Sequence, residues 1–321
     1  MKKYLIVGGT GSLGNQLIKR LLKDSNIRVF SRDEAKHWSI KNKYSNKNLS
    51  FSVGDIRDYE RLEQVICEYN PEIIIIAAAL KQVDTCELSP EESIKTNIQG
   101  PKNIIKVIEK HYKNLNIETV LMVSTDKACE PVNVYGMCKS ISERVVTSQS
   151  SNKRLKHIKF IGTRYGNVLD SRGSILPLFR QQAKEKEFLT ITDERMTRFV
   201  MTLKESVDLI TDAIKFAKSG EIYLPKLKSM LIKDLSNIFS EKYNKKVKTI
   251  GIRPGEKIHE KLISESESMR IYEKNQYYVL KPLTENSRKI VNDLFEYTSN
   301  DEVLTKDELS KYLEGLGLIY V

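Results

Sequence analysis

The chain has 321 residues, 40% of them hydrophobic and 30% charged, and its 53 Lys+Arg against 42 Asp+Glu leave a net charge of +11. That length holds about two folding units or one large α/β unit, and it buries a core without disulfides or a structural metal. The longest apolar run, Ile73 to Leu80, is far short of the roughly 20 residues of a membrane helix. Lys2 and Lys3 lead into too short an apolar stretch for a signal peptide, and Cys67, Cys86, Cys129 and Cys138 show neither CxxC nor zinc-ligand spacing. Disordered, fibrous, membrane-spanning and disulfide-framework classes are excluded, and a cytoplasmic protein is expected. Lysines are mixed with Glu and Asp, as in 102–113 and 233–248, rather than gathered into an aromatic-laced stripe. No nucleic-acid or membrane partner is therefore expected, while attraction of an anionic small substrate fits the charge.

Tyr4 to Val7 is a short apolar run stopping at glycines, the pattern of a buried parallel strand. Leu13, Leu17, Ile18, Leu21 and Leu22 then recur at helical spacing. Strands are expected at Ile27–Phe30, Leu49–Val53, Ile73–Ile76, Val120–Val123 and Lys159–Gly162, with helices at Arg57–Glu68, Ile94–Tyr112 and Tyr135–Ser148 between them. Such alternation predicts an α/β fold with a doubly wound parallel sheet, Rossmann-like, and a smaller mixed α/β substrate domain. After residue 163 the rhythm becomes irregular. The dinucleotide-binding domain is assigned to 1–163 plus about 199–222, where helix Leu203–Ala217 and strand Glu221–Leu224 return to the sheet. The substrate domain takes 164–198 and 223–321, with a last helix, Lys306–Leu313, expected at the surface.

Gly8-Gly9-Thr10-Gly11-Ser12-Leu13-Gly14 lies between the first strand and first helix. Its GxxGxxG spacing lets the backbone turn tightly and brings a pyrophosphate to unpaired N–H groups at a helix N-terminus. At the end of the second strand, an acidic residue would favour NAD by accepting from a ribose 2′-hydroxyl. Here Ser31-Arg32 occupy that place with Lys36 nearby, a set that suits a 2′-phosphate and favours NADP, while Asp33 leaves NAD open. Asp55 and Ile56 in the turn after Gly54 could hold the adenine, and Ala77, Ala78 and Ala79 allow close passage of the cofactor.

Ser124 to Lys139 follows the fifth strand, so its polar residues emerge at the carboxyl edge of the sheet, where ligands bind. Tyr135 and Lys139 are i and i+4 on one helix face. An ammonium beside the phenol is expected to lower its pKa and make Tyr135 an acid/base. Thr125 is placed to hydrogen-bond a reacting oxygen. Asp126-Lys127 adds a carboxyl group and an amine that simple alcohol oxidation does not need, which implies a second chemical step. Burial with neighbouring cations is expected to depress the Lys127 pKa toward a neutral amine. Arg198 and Arg253 suit a diphosphate. His37, His111, His157 and His259 form no cluster, so no metal is expected.

The YxxxK pair, glycine fingerprint and strand-end Ser-Thr together mark an extended short-chain dehydrogenase/reductase. The segment STDKACEPVNVYGMCK, with GGTGSLG, SRDEAK, AAALKQVDTCE, KTNIQG, RYGNVLDSRGSILPLF, LTITDERMTRFVM and IRPGEKIHE, resembles the soluble UDP-N-acetylglucosamine 4,6-dehydratases of pseudaminic acid and capsule-sugar biosynthesis, along nearly the whole chain. Val7 departs from the Thr often found before the first glycine in this superfamily. The resemblance implies proton removal from the sugar 4-hydroxyl by Tyr135 with hydride passing to the cofactor. Lys127 would then take the carbon-5 proton, Asp126 would protonate the departing 6-hydroxyl, and hydride would return to carbon 6. It also implies that Lys81, Asn167, Arg198, Arg253 and Glu256 hold a UDP-sugar and that the protein is a homo-oligomer. The expected net reaction is loss of water with inversion at carbon 5. Retention at carbon 5, 4-epimerisation and a non-catalytic dinucleotide sensor are the alternatives.

Overall fold

The computed structural model describes residues 1–283 and 294–319. Positions 284–293 and 320–321 of the expected substrate domain thus lie outside the described residues. The first half is β1 (Lys2–Val7), α1 (Ser12–Leu21), β2 (Ser25–Ser31), α2 (Glu34–Tyr44), β3 (Leu49–Val53), α3 (Tyr59–Tyr69), β4 (Ile73–Ile76), α4 (Val83–Leu88), α5 (Pro90–Ile94), α6 (Gly100–His111), β5 (Thr119–Val123), α7 (Val134–Thr147) and β6 (Lys159–Thr163). The second half is β7 (Asn167–Val168), α8 (Ile175–Glu185), β8 (Phe188–Ile191), β9 (Thr197–Met201), α9 (Leu203–Phe216), β10 (Ile222–Pro225), β11 (Ser229–Leu231), α10 (Ile232–Tyr243), β12 (Lys246–Thr249), β13 (Lys261–Ile263), α11 (Glu265–Ser268), β14 (Ile271–Lys274), β15 (Tyr277–Leu280), β16 (Tyr297–Thr298) and α12 (Lys306–Gly315).

The main sheet runs β3-β2-β1-β4-β5-β6-β10-β15-β14. Pairing is parallel from β3 to β10, and the β14–β15 hairpin is added antiparallel at the far edge. The order reverses between β1 and β4, which opens a crevice at their carboxyl ends. Alternate side chains divide between two cores. Ile6, Ile27, Val29, Ile73 and Ile75 face Leu17, Ile18, Val207 and Ile210 of α1 and α9. Leu5, Val7, Ile74, Ile76 and Met122 face Leu62, Ile66, Ile104 and Ile108 of α3 and α6. Both faces are covered, so the strands read as continuous apolar runs rather than alternating ones.

The structure departs from the sequence reading, or adds to it, at four points. Helix α2 has no apolar stripe to announce it, burying only His37 and Ile40, and its start is set by Asp33, whose side chain accepts from Lys36 N. The single helix expected over Ile94–Tyr112 is broken by a π turn at Lys95–Gln99, just before Gly100-Pro101. Pro101 has no N–H for an α-helical bond, and Asn97 in the π turn instead clasps Leu80 through its N–H at 2.9 Å and C=O at 2.8 Å. Strands β14 and β15, within the range expected for the substrate domain, extend the main sheet. The last helix is not merely peripheral: Leu309 and Leu313 are fully buried in a third core with Phe179, Leu235 and Phe239. Among the described residues no helix is long and apolar enough to cross a membrane.

Arg164, just past β6, is 2% exposed and joins these parts. It donates to Glu143 of α7 at 3.0 and 2.7 Å, to Glu267 of α11 at 2.7 and 2.9 Å, and to Leu262 O at 2.9 Å. Removing the guanidinium strands two buried carboxylates, so Arg164→Ala is expected to cost about 3–5 kcal/mol in denaturant unfolding; a loss under about 1 kcal/mol would contradict this role. Burial alone would raise the Glu267 carboxyl, but Arg164 outweighs it and holds it down at about 2, against an ordinary value of 4.5. Its contribution to stability is therefore complete above about pH 4.5 and is lost as pH falls toward about 2, which an acid titration of the melting temperature checks.

Candidate active site

The segment leaving β5 is fixed by its backbone. Ser124 N donates to Thr163 O at 2.7 Å and Asp126 N to Tyr165 O at 2.9 Å. Asp126–Ala128 forms one 3-10 turn capped by the Thr125 side chain. Helix α7 then starts at Asn133, whose carboxamide oxygen accepts from Gly136 N at 2.7 Å. Gly136 is needed for close approach, since a Cβ there would sit 2.2 Å from Lys127 O. Thus the Lys127 turn and the first turn of α7, which carries Tyr135, touch backbone to backbone.

At the switch point, Gly8 has φ +86° and a Cβ on it would lie 2.5 Å from Ala78 N. The turn therefore presents bare backbone to the crevice. Gly11 caps α1 without a side-chain acceptor, leaving the first-turn N–H groups for an anion. Thr10, Ser31 and His37 form a hydroxyl-imidazole chain, with Oγ1 to Oγ at 3.2 Å and Oγ to Nε2 at 2.8 Å. Burial lowers the His37 pKa, which favours neutral imidazole. Asp33 is engaged, accepting from both Lys36 N and Lys36 Nζ, and Arg32 lies 3.7 Å from Asp55.

One cavity of about 760 Å³ collects the expected residues. Gly8, Thr10, Gly11, Ser12, Leu13, Gly14, Ser31, Arg32, Lys36, Asp55, Ile56, Ala77, Ala78 and Ala79 line one end. Thr125, Asp126, Lys127, Tyr135 and Lys139 line the same cavity, with Lys81, Asn167, Arg198, Arg253 and Glu256. Four of the last group are already engaged within the protein, Glu256 through its pairing with Arg253. Arg198 donates to Thr197 O and Ile258 O at 2.7 and 3.1 Å, and Arg253 pairs with Glu256 and, at 2.9 Å, with Asp84. Lys81 Nζ donates to Arg172 O at 2.7 Å, whereas the buried Asn167 Oδ1 has no partner.

The electrostatics differ from the sequence expectation. Lys127 is not depressed: burial pulls it down, but Asp126 at 3.2 Å and Glu260 at 3.0 Å outweigh that and hold the ammonium above the ordinary lysine range. Asp126 is fully buried and its pKa is raised, by burial first, with the Glu260 charge adding to it. Its Oδ1 accepts from Thr125 Oγ1 at 2.9 Å, while Oδ2 is buried without a partner. Burial would also raise Glu260, but Lys127 and Arg198 hold it low. Burial pushes Tyr135 up to about 12, and the cation opposing this is Lys127 rather than Lys139. Lys139 is itself lowered to about 8 by burial and donates its Nζ hydrogen to Val123 O.

Glu260 lines the same cavity, 3.0 Å from Lys127, and sequence reasoning did not single it out. It stands inside the IRPGEKIHE motif, but chain position alone gives no sign that it meets Lys127. His37, Asn97 and Gly136 were likewise passed over, because their work is done through contacts distant in the chain.

A doubly wound sheet with a glycine turn at its switch point and a Tyr-x-x-x-Lys helix beside the next strand end defines an extended short-chain dehydrogenase/reductase. Within that class the chain belongs to the family described as "Polysaccharide biosynthesis protein", which matches residues 4–282. It is 38% identical to a UDP-N-acetylglucosamine 4,6-dehydratase (inverting) of Campylobacter jejuni, covering 96% of this chain and 95% of that protein. It is also 37% identical to a UDP-glucose 4-epimerase of Rickettsia bellii, over 100% of this chain and 97% of that one. The crystal structure of Pen from Bacillus thuringiensis, 33% identical, superposes with a TM-score of 0.91 over 99% of this chain and 98% of that chain.

Because of the contact between α7 and the Lys127 turn, Gly136→Ala is expected to destabilise the protein by about 1–3 kcal/mol through overpacking. The loss is to be read from denaturant unfolding together with a fall in activity. Unchanged stability and activity would show that the two backbones separate at no cost.

Proposed function

We propose that this protein is a nicotinamide-dependent UDP-N-acetylglucosamine 4,6-dehydratase that inverts carbon 5. The observation that carries this reading is the Asp126–Lys127–Glu260 cluster, an acid and a base that share a cavity with Tyr135. A 4-epimerase, the activity named for the Rickettsia relative, needs the tyrosine and its lysine but has no evident use for this second acid–base set.

The residues fit a dinucleotide. The bare Gly8–Gly14 turn and the free first-turn N–H groups of α1 would hold the pyrophosphate. Ser31, Arg32 and Lys36 would take a 2′-phosphate, and Asp33, already spent on Lys36, is poorly placed to serve a ribose hydroxyl; this favours NADP over NAD. A nicotinamide held by these residues would supply reversible hydride chemistry, accepting hydride from carbon 4 and giving it back at carbon 6.

The side chains supply the rest. Tyr135 accepts the 4-hydroxyl proton, and Thr125 orients that oxygen. The hydrogen on carbon 5, now next to a carbonyl, becomes acidic, and Lys127 removes it. To do so Lys127 must first give up a proton, and Asp126 Oδ1, at 3.2 Å, is the acceptor in place. Asp126 then protonates the departing 6-hydroxyl. One carbon–oxygen bond breaks and one water leaves; as hydride returns to carbon 6, carbon 5 takes a solvent-exchangeable proton on the face opposite Lys127, Tyr135 releases the proton it took from the 4-hydroxyl, and the redox chemistry cancels. Lys81, Asn167, Arg198, Arg253 and Glu256 are assigned to the UDP-sugar. Exposed Met137 and Ile141 on α7, 47% and 48% accessible, form an apolar strip that a second copy of the chain would cover, as the expected homo-oligomer requires.

Lys127→Ala tests the reading. It is expected to bind cofactor normally and still reduce it with substrate, while product formation falls by about 10²–10⁴-fold. Full conversion by that variant would point to epimerisation instead. Arg32→Ala is expected to weaken NADP but not NAD in a binding titration; equal weakening of both would remove the argument for NADP.

A further inference from the structure

Glu260 has a placement that the chemistry above leaves unexplained. It is 2% exposed, yet it lines the cavity. Its backbone is pinned, with Glu260 N donating to Ser299 Oγ at 2.9 Å and Ser299 N donating to Glu260 O at 2.8 Å. Its Oε1 lies 3.0 Å from Lys127 Nζ and 3.9 Å from Arg198 Nε, and its Oε2 is buried with no hydrogen-bond partner among the described residues. Two buried carboxyl groups therefore flank one lysine ammonium that reaches the cavity.

We propose that Glu260 is a positioning residue for the elimination step: ionised between Lys127 and Arg198, it directs the proton that Lys127 releases to Asp126 rather than to itself, and holds the Lys127 amine at the cavity wall. This rests on the dehydratase reading. The physical reason is charge balance, since like charges held close do not both ionise readily and a buried group with net charge is costly. Glu260 faces the cations Lys127 and Arg198, with Lys257 of its own loop acting at longer range. Asp126 has only Lys127 and the Thr125 hydroxyl beside it, and Glu260 repels its ionised form. Tyr135 is the other titratable group that feels the Asp126–Lys127 pair. The proton therefore goes to Asp126, where the departing hydroxyl needs it. No atom of Glu260 is gained or lost in the reaction.

Removing the Glu260 charge has a distinctive consequence. It makes Asp126 easier to ionise and Lys127 easier to deprotonate, so both limbs of the pH profile for elimination move toward acid. A purely structural role would reduce the rate without moving the profile. The test uses cofactor-loaded protein with UDP-N-acetylglucosamine in heavy water, following cofactor reduction and carbon-5 deuteration separately across pH.

Glu260→Gln is expected to reduce the cofactor within about threefold of the unaltered rate. Its carbon-5 profile is expected to shift acidward by about one pH unit, whereas Glu260→Asp, which keeps the charge, leaves it in place. An unmoved Glu260→Gln profile, or equal losses in both half-reactions, overturns the proposal. Should that variant fail to fold, carboxyl carbon-13 shifts of the unaltered protein decide. As pH is lowered, Asp126 is expected to take a proton before Glu260 does, and Glu260 protonating first, or the two together, overturns it. If the unaltered protein yields no dehydrated product, the dehydratase reading falls as well; if it dehydrates and the profile stays put, only the role of Glu260 is lost.

Discussion

The buried guanidinium of Arg164 sets the terms for the site. A charge out of water is tolerated only with its hydrogen bonds satisfied, and its two carboxylate partners come from distant parts of the chain. Glu143 stands on the helix that carries Tyr135 and Lys139. Glu267 follows β13, whose other end adjoins Glu260. The Cys129 thiol, just past the Lys127 turn, also donates to Glu267 at 3.5 Å. The residues assigned to oxidation and those assigned to elimination are thereby held in one register by one cation. The same constraint places Tyr165 beside the site, where its carbonyl anchors Asp126.

Desolvation also governs the chemistry. In the protein alone, Tyr135 is held strongly protonated and Lys127 strongly charged, the opposite of what each needs for its proposed proton transfer. Reactivity must therefore come from redistribution within the site: a proton passing from Lys127 to Asp126, and a bound cation or hydroxyl altering the field at Tyr135. Asp126, the most buried acid of the cluster, is the group whose own environment favours holding a proton. An exposed set of the same residues would titrate near ordinary values and offer no such division of roles.

The fold and most of the residues that line the candidate cavity were legible because their signals are local. Apolar runs such as Ile73–Ile76, the glycine spacing from Gly8 to Gly14 and the four-residue step from Tyr135 to Lys139 each report on neighbours in sequence. Helix α2 was hidden because it buries too little to show a period, and the π turn at Lys95–Gln99 because the apolar spacing runs through it and its Asn97–Leu80 contact joins residues distant in the chain. Glu260 was hidden for a related reason. Sequence shows a glutamate in IRPGEKIHE but not that the chain folds it against Lys127. Its absence from the sequence reading led to the wrong direction for Lys127, since the neighbouring cations were counted and the second carboxylate was not.

The most direct measurement is incubation of the cofactor-loaded protein with UDP-N-acetylglucosamine in heavy water, followed by mass spectrometry and proton NMR. Loss of one water, deuterium at carbon 5 and ring couplings of the inverted centre are predicted. Conversion without water loss, or dehydrated product carrying no deuterium at carbon 5, would contradict a cavity built for acid–base elimination.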